Sequence, residues 1–476
     1  MLRNAFGSWK PVLALCAAGV GLRLVFLALT TNLDLLRDEG HYVYLALSWN
    51  RFGFYPDGLR YLWPPGFPLF LAWCLSLFGA QGVVAAKLVQ VLASASIGIC
   101  TMALAERLFG ARGALIAGVL WCVHLPLIGY THTLWNETLF LAFFLPSLVL
   151  LASVLEGERR ALDARIAGAA ALLALALYVK DAPLYLLPVF VVMLVLARGG
   201  ARPVEGVRRA LLFVGVVAVL VLPWTLRNLE VYGRIVPMGS TLAENVFRGL
   251  NGTYRNFDLG PFQRKYFSEE SPVGRSRPWF IETDGRPDWE RAEGIANTPD
   301  RLAETTRRGL AYAALRPGWL IRSRIKKLAD LVAPYSFFVR HAGLGEYEDT
   351  PLGGTAARRA LLAWAVLVPV VILGCAIPGL VFALRRRRAA DQLALFVIAY
   401  LGATSLLVSM SRFRIAMMPF LIVMAAGFLA GRAGSSETGR LHWGVVSVGW
   451  ALLALLWWVN VPETSAILGI VWRGGV

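Results

Sequence analysis

The feature that most constrains this chain is an alternation. Apolar runs of bilayer-spanning length recur along it, separated by short turns that carry arginine or lysine. A helix needs about 17–25 apolar residues to cross a bilayer. Lipid cannot satisfy open backbone groups, so many such runs in one chain mean helices. Hydrophobic residues make up 57% of the 476, more than soluble domains carry. The sequence predicts an all-α polytopic membrane protein with about eleven transmembrane helices.

The formal charge of +17 does not point to nucleic acid. Most Lys and Arg fall in short turns between apolar runs, which is the positive-inside orientation pattern. Cys16, Cys74, Cys100, Cys122 and Cys375 lie in apolar segments without paired spacing. They read as small core residues, not as disulfides or metal ligands. Residues 1–31 resemble a signal peptide only superficially. The run is too long and lacks a small-residue cleavage site, so it is taken as an uncleaved first span.

Arg3 and Lys10 put the N-terminus in the cytoplasm. Residues 1–226 form a transmembrane module with a first external loop over 32–81. Within that loop, Glu39–Trp49 suits an amphipathic helix, and 66–79 is too short to span and is laid in the outer interface. Further spans are placed at 82–105, 113–128, 138–155, 162–179, from the outer turn at 180–183 to about 196, and at 210–226. Residues 227–358 are polar and external, with a helix over 299–315 and a basic amphipathic helix over 317–331. Residues 359–476 hold the last spans, at 360–384, 391–409, 414–431 and 442–460, and an external tail. Arg23 sits mid-span, where arginine is costly and faces protein or water. It is either a packing partner for a carboxylate or carbonyl, or a contact for an anionic lipid headgroup.

This topology gathers Asp38, Glu39, Tyr42, His132, Glu137, Lys180, Asp181, Arg227, Arg412 and Arg414 on the outer face. Acids and cations together suit one kind of reaction. A carboxylate takes the proton of an incoming hydroxyl, while Lys and Arg stabilise a departing phosphate. Each residue also has a plainer reading. Asp38–Glu39 suits a solvated loop, Glu137 a helix-dipole partner at the start of a span, and Lys180, Arg412 and Arg414 snorkelling side chains. His41 and His132 read as polar loop residues. No HExxH, CxxC or Gly-rich phosphate loop is present.

Six motifs, in order, carry a family resemblance. They are Arg37-Asp38-Glu39-Gly40-His41-Tyr42; Trp63-Pro64-Pro65-Gly66-Phe67-Pro68; and Asn136-Glu137-Thr138-Leu139-Phe140. Then come Tyr178-Val179-Lys180-Asp181-Ala182-Pro183; Pro223-Trp224-Thr225-Leu226-Arg227-Asn228 with Gly233, Ser240, Thr241, Asn245 and Gly249-Leu250-Asn251; and Ser411-Arg412-Phe413-Arg414 with Pro419. Together they resemble the GT-C superfamily of membrane glycosyltransferases, in the branch of protein O-mannosyltransferases and aminoarabinose lipid A transferases. The resemblance implies a GT-C bundle with juxtamembrane helices. Asp38 would be the catalytic base, Glu39 its orienting neighbour and Glu137 the second acid. Lys180, Arg227 and Arg412 would bind the donor phosphate, with Tyr42 beside it.

The sequence departs from the family pattern where Trp63 replaces a lysine, Asp181 a glycine and Thr253 a proline, and where Glu137 stands for the commoner aspartate. The implied activity is an inverting hexosyl or pentosyl transfer. The donor would be a polyprenyl-phosphate sugar and the acceptor a lipid, glycan or protein, at the periplasmic or extracellular face of a bacterial plasma membrane. No cofactor is required by the resemblance, although the Asp38/Glu137 pair suits a hard divalent cation. The competing expectation is a secondary transporter or lipid flippase with Asp38 or Glu39 as proton carrier, which would place the carboxylates near the midplane.

Overall fold

The structure is a computed structural model. It describes residues 7–30, 35, 38–53, 55, 63–157, 162–197, 203–239, 245–246, 310–336 except 312, 349–386, 388–408, 412–431 and 443–461, with isolated positions at 303, 306, 307, 339, 347, 464, 465, 468, 469 and 472. Arg37, Ser240, Thr241, Gly249-Leu250-Asn251, Thr253, Ser411 and most of the helix expected over 299–315 lie outside the described residues.

Every regular element among the described residues is helical. In chain order the helices are α1 (Lys10–Leu29), α2 (Asp38–Phe52), α3 (Gly66–Phe78), α4 (Gly82–Val123), α5 (Leu125–Gly129), α6 (Glu137–Leu155) and α7 (Leu162–Val179). They continue with α8 (Leu187–Leu196), α9 (Pro203–Tyr232), α10 (Pro317–Leu331), α11 (Thr355–Arg386), α12 (Ala389–Val408), α13 (Met418–Leu429) and α14 (Trp443–Val459). Seven helical stretches are long and apolar enough to cross a membrane, the stretch Gly66–Val123 counting as one. Three shorter apolar helices, Ala182–Leu196, Phe413–Leu429 and Trp443–Val459, accompany them. The architecture is an all-α polytopic bundle, and these lengths do not fix the count at eleven.

Helix α6 is the most enclosed span. It packs on α4, α7 and α12, and almost all of its side chains from Glu137 to Leu155 are buried. The turn expected at Arg107/Arg112 is present: Gly110, at φ 76°, folds α4 back on itself, so that Gly98 packs on the Trp121 ring and Gly118 on Met102. Glycine takes that left-handed backbone without the Cβ penalty. Arg107 lies at this reversal, paired with Glu156 at 2.6 Å.

Two boundaries differ from expectation. The span placed at 210–226 continues as α9 to Tyr232, because Pro223 is accommodated inside the helix. Arg227 is therefore helical and not in an outer turn. Helix α11 likewise begins at Thr355, before the boundary drawn at 359. Arg23 is a packing partner. Its guanidinium lies 4.3 Å from the Trp121 ring centroid and donates to the carbonyls of Gly19 and Trp121 at 2.9 and 3.4 Å.

The amphipathic helix predicted over 317–331 is present as α10 and grips the end of α12. Arg324 donates to the Leu406 carbonyl at 2.7 Å, and Lys327 to that of Leu407. Cations on the last carbonyls of a helix satisfy orphan acceptors and its dipole. This fixes the turn that follows α12, which carries Arg412.

Candidate active site

Four chain segments deliver the charged residues. Asp38 is the first residue of α2 and Glu137 the first of α6, each at a helix end that favours negative charge. Lys180 directly follows α7, its amide closing that helix on the Ala176 carbonyl at 2.8 Å. Its ammonium therefore sits where a helix C-terminus favours a cation. Arg412 stands between α12 and a short 3₁₀ turn over Phe413–Met417.

Arg412 joins the two acids. Its Nη1 donates to Asp38 Oδ2 at 2.6 Å, and its Nε to Glu137 Oε1 at 2.9 Å. Lys180 Nζ lies 3.6 Å from the same Glu137 oxygen. The Arg412 guanidinium lies over Trp135, 3.9 Å from the ring centroid. Burial opposes its charge, but Glu137 and Asp38 outweigh that, so the guanidinium is held well above its ordinary pKa. The Lys180 ammonium lies between two rings, 5.9 Å from Phe140 and 5.7 Å from Phe413.

These groups line one cavity of about 150 Å³, walled also by Tyr42, Trp63, Asn136, Asp181, Asn245 and the α12 residues Leu401, Thr404 and Ser405. Tyr42 is buried against Trp63 and Phe67, at ring distances of 4.6 and 4.8 Å. Burial first, and then the Asp38 charge, push its phenol well above the usual range, so it is a neutral donor. Gly66 sets this wall against α7. A Cβ there would stand 2.6 Å from the Tyr178 carbonyl oxygen, so only glycine lets the Trp63–Pro64 segment approach Lys180.

The acids are not equivalent. Asp38's side chain is 41% exposed and Glu137's 2%. Asp38 can meet an incoming molecule; Glu137 is sealed behind its two cations. Glu39 does not line the cavity. It is buried and accepts a hydrogen bond from the Leu134 amide at 2.5 Å. Neighbouring residues of a helix point about 100° apart, so Asp38 and Glu39 face different walls. Arg227 also lies outside the lining. It donates to the Tyr55 carbonyl at 2.9 Å and packs 4.8 Å from the Trp224 centroid. Arg414 is buried and donates to the carbonyls of Leu331, Ala333 and Tyr335. His132 meets the Arg23 carbonyl at 2.9 Å.

The Asp38/Glu137 pair does not suit a divalent ion as arranged. The Arg412 guanidinium fills the space between the carboxylates, and Lys180 approaches from the side. A dication there would face two fixed positive charges at contact distance. No group of three metal-ligating side chains occurs among the described residues.

Sequence reasoning missed Thr404 and Ser405, and the Arg412 platform of Trp135. The α12 residues had a signal: Leu401, Thr404 and Ser405 share the i, i+3, i+4 face of an apolar span.

Residues 63–226 match the family model for dolichyl-phosphate-mannose-protein mannosyltransferase. No curated protein matches the chain. The fold is similar to the oligosaccharyltransferase of Archaeoglobus fulgidus in its apo form, at a TM-score of 0.51 and 14% identity, covering 98% of this chain and 56% of that one. It is also similar to the archaeal oligosaccharyltransferase AglB from Archaeoglobus fulgidus in complex with an inhibitory peptide and a dolichol-phosphate, at 0.50 and 13%, covering 98% and 56%. A structure of ArnT from Cupriavidus metallidurans bound to undecaprenyl phosphate matches at 0.44 and 17%, covering 96% and 65%. The chain thus spans about half the length of the oligosaccharyltransferases it matches. In its matched segment, about a third of the chain, and in its fold, the chain is similar to membrane glycosyltransferases of the GT-C type.

Proposed function

We propose that the chain transfers a sugar from a polyprenyl-phosphate carrier to the hydroxyl of a lipid, glycan or protein acceptor, on the non-cytoplasmic side of a bacterial plasma membrane. The observation that carries this is the Asp38–Arg412–Glu137–Lys180 constellation in one cavity. It pairs an accessible carboxylate with two cations, the complement of a hydroxyl acceptor and a phosphate leaving group.

In this reading the donor phosphate binds Arg412 and Lys180, and the anionic phosphate competes with Asp38 for Nη1. The freed Asp38 carboxylate accepts the proton of the acceptor hydroxyl. The acceptor oxygen forms its bond to the anomeric carbon from the face opposite the phosphate. The bond from that carbon to the phosphate oxygen breaks, its electron pair leaves with the polyprenyl phosphate, and the anomeric configuration inverts. Arg412 and Lys180 stabilise the charge gathering on the departing oxygen. Glu137 holds both cations in place and is a positioning residue; Glu39 and Arg227 support the walls. Tyr42 is a neutral hydrogen-bond donor beside Asp38.

The position of the acids weighs against a transporter. Asp38 opens a helix outside the spans and Glu137 sits at the first residue of one, whereas proton-carrying carboxylates lie near the midplane. The test is transfer from a set of polyprenyl-phosphate sugars by purified protein, compared with Asp38→Asn and Glu137→Gln. Asp38→Asn should lose at least about 10²-fold in turnover. Turnover unchanged in both variants would end the assignment.

A further inference from the structure

Helix α10 turns its charge inward. Lys326, Lys327 and Asp330 are buried, while Ile321, Ile325 and Leu328 on the opposite side are exposed. A helix that kept its charge for solvent would be arranged the other way. The buried cations serve neighbouring helices. Lys326 pairs with Asp330 at 2.9 Å and reaches the side chain of Asn460, just past α14. Trp457 of α14 donates to the Val332 carbonyl at 2.7 Å, so α10 is pinned on that side. On the other side, Arg324 and Lys327 hold the Leu406 and Leu407 carbonyls in the last turn of α12.

The grip is returned. Arg414, itself buried, donates from Nη1 to the carbonyls of Leu331, the last residue of α10, and Ala333, at 3.1 and 2.7 Å. Its Nη2 donates to the Tyr335 carbonyl at 3.4 Å. The end of each helix is thus satisfied by cations from the other segment. Arg412 stands in the chain between Leu407 and Arg414, and so between the two grips.

In the mechanism above, the donor phosphate displaces Asp38 from Arg412 Nη1. The guanidinium then loses one of the two carboxylates that fix its tip. Its aim depends from that point on where its backbone is held. A displacement of about 1 Å at an oriented group costs on the order of 10²-fold in rate. We propose that Arg414 and Lys327 are positioning residues for Arg412: by holding both sides of its turn against α10, they keep the guanidinium aimed at the donor phosphate. This rests on the donor reading above and adds that residues outside the cavity set the affinity for the phosphate.

The test is a double-mutant cycle on binding. The probe is undecaprenyl phosphate, titrated calorimetrically into purified protein in detergent. Arg414→Lys keeps one charge but cannot span three carbonyls, and should weaken binding about tenfold. Arg412→Lys should weaken it by at least as much. Where Arg414 acts through Arg412, the loss is not incurred twice. Adding Arg414→Lys to Arg412→Lys should therefore weaken binding less than about twofold further. Lys327→Met removes the donor on the α10 side and should follow the same pattern, which tests the clamp from both helices even where one variant does not fold.

Thermal unfolding of each variant separates positioning from support. A merely structural pair would lower the thermal midpoint and leave the affinity of the folded protein intact. That result overturns the proposal, as does a double variant in which the two losses multiply. A wild type that binds no undecaprenyl phosphate would sink the donor reading, and the proposal with it. A wild type that binds, beside Arg414→Lys and Lys327→Met variants that bind equally well, sinks the proposal alone.

Discussion

The Arg412 side chain bridges Asp38 and Glu137, residues far apart in the chain, through different nitrogens of one guanidinium at 2.6 and 2.9 Å. That geometry needs a planar fork with donors on two edges. Lysine offers a single point charge.

Arg412→Lys should therefore keep the charge and lose the bridge. Turnover is expected to fall by about 10²–10³-fold, the scale of removing one oriented transition-state donor. Arg412→Ala should in addition destabilise the protein by about 3 kcal/mol, since Glu137 would keep only Lys180, at 3.6 Å. Steady-state transfer rates and thermal unfolding in detergent separate the two effects.

Trp135 supports the guanidinium from below, 3.9 Å away at the centroid. Trp135→Phe preserves a π-face and should cost less than about fivefold in turnover. Trp135→Leu removes a cation–π contact worth about 2 kcal/mol when desolvated and should cost about 30-fold. A purely structural role would show equal loss of thermal stability and activity in both variants; a platform role shows rescue by phenylalanine.

Glu39 should act on the fold and not on the chemistry. Its carboxylate ties α2 to the Leu134 amide at 2.5 Å. Glu39→Leu strands that buried amide and is expected to lower stability by about 1–3 kcal/mol. Glu39→Gln keeps an acceptor, so kcat should remain within a few-fold of wild type while Asp38→Asn abolishes transfer. A loss in Glu39→Gln matching that of Asp38→Asn would return Glu39 to the reacting atoms.

Stability should fall in mild acid. Burial drives the His132 imidazole down to about 4, from an ordinary value near 6.5. Above pH 6.5 both folded and unfolded states hold it neutral, and its contribution is constant. Between pH 6.5 and 4 the unfolded chain takes a proton that the native site refuses, so stability is lost as pH falls, by at most about 3 kcal/mol. His124, buried and also pushed well below its ordinary value, adds a loss of the same sign. The thermal midpoint of wild type should drop between pH 7.5 and 5, and His132→Gln should flatten that slope.

Much of this site was legible in the sequence because charge is conspicuous among apolar runs. Glu137, Lys180 and Arg412 stand at the ends of spans and Asp38 in the loop after the first, and a bundle brings these ends together. Direction was not legible. Asp38 and Glu39 are adjacent letters, and only the start of α2 decides which faces the cavity. Arg227 was placed outside the membrane because the apolar run ends at Leu226, whereas α9 continues through polar residues to Tyr232. Thr404 and Ser405 were overlooked because their hydroxyls bond to carbonyls of their own helix, at 3.0 and 2.5 Å, and pass for ordinary span residues.

The replacement of a lysine by Trp63 has a consequence for the carrier. Among the described residues around the cavity, Asp38, Glu137 and Asp181 oppose only Lys180 and Arg412. Such a lining has no spare positive charge for a second phosphoryl group. Under the donor reading, a pyrophosphate-linked lipid would meet more repulsion in this lining than a monophosphate, so the cavity is expected to favour the carrier of lower charge.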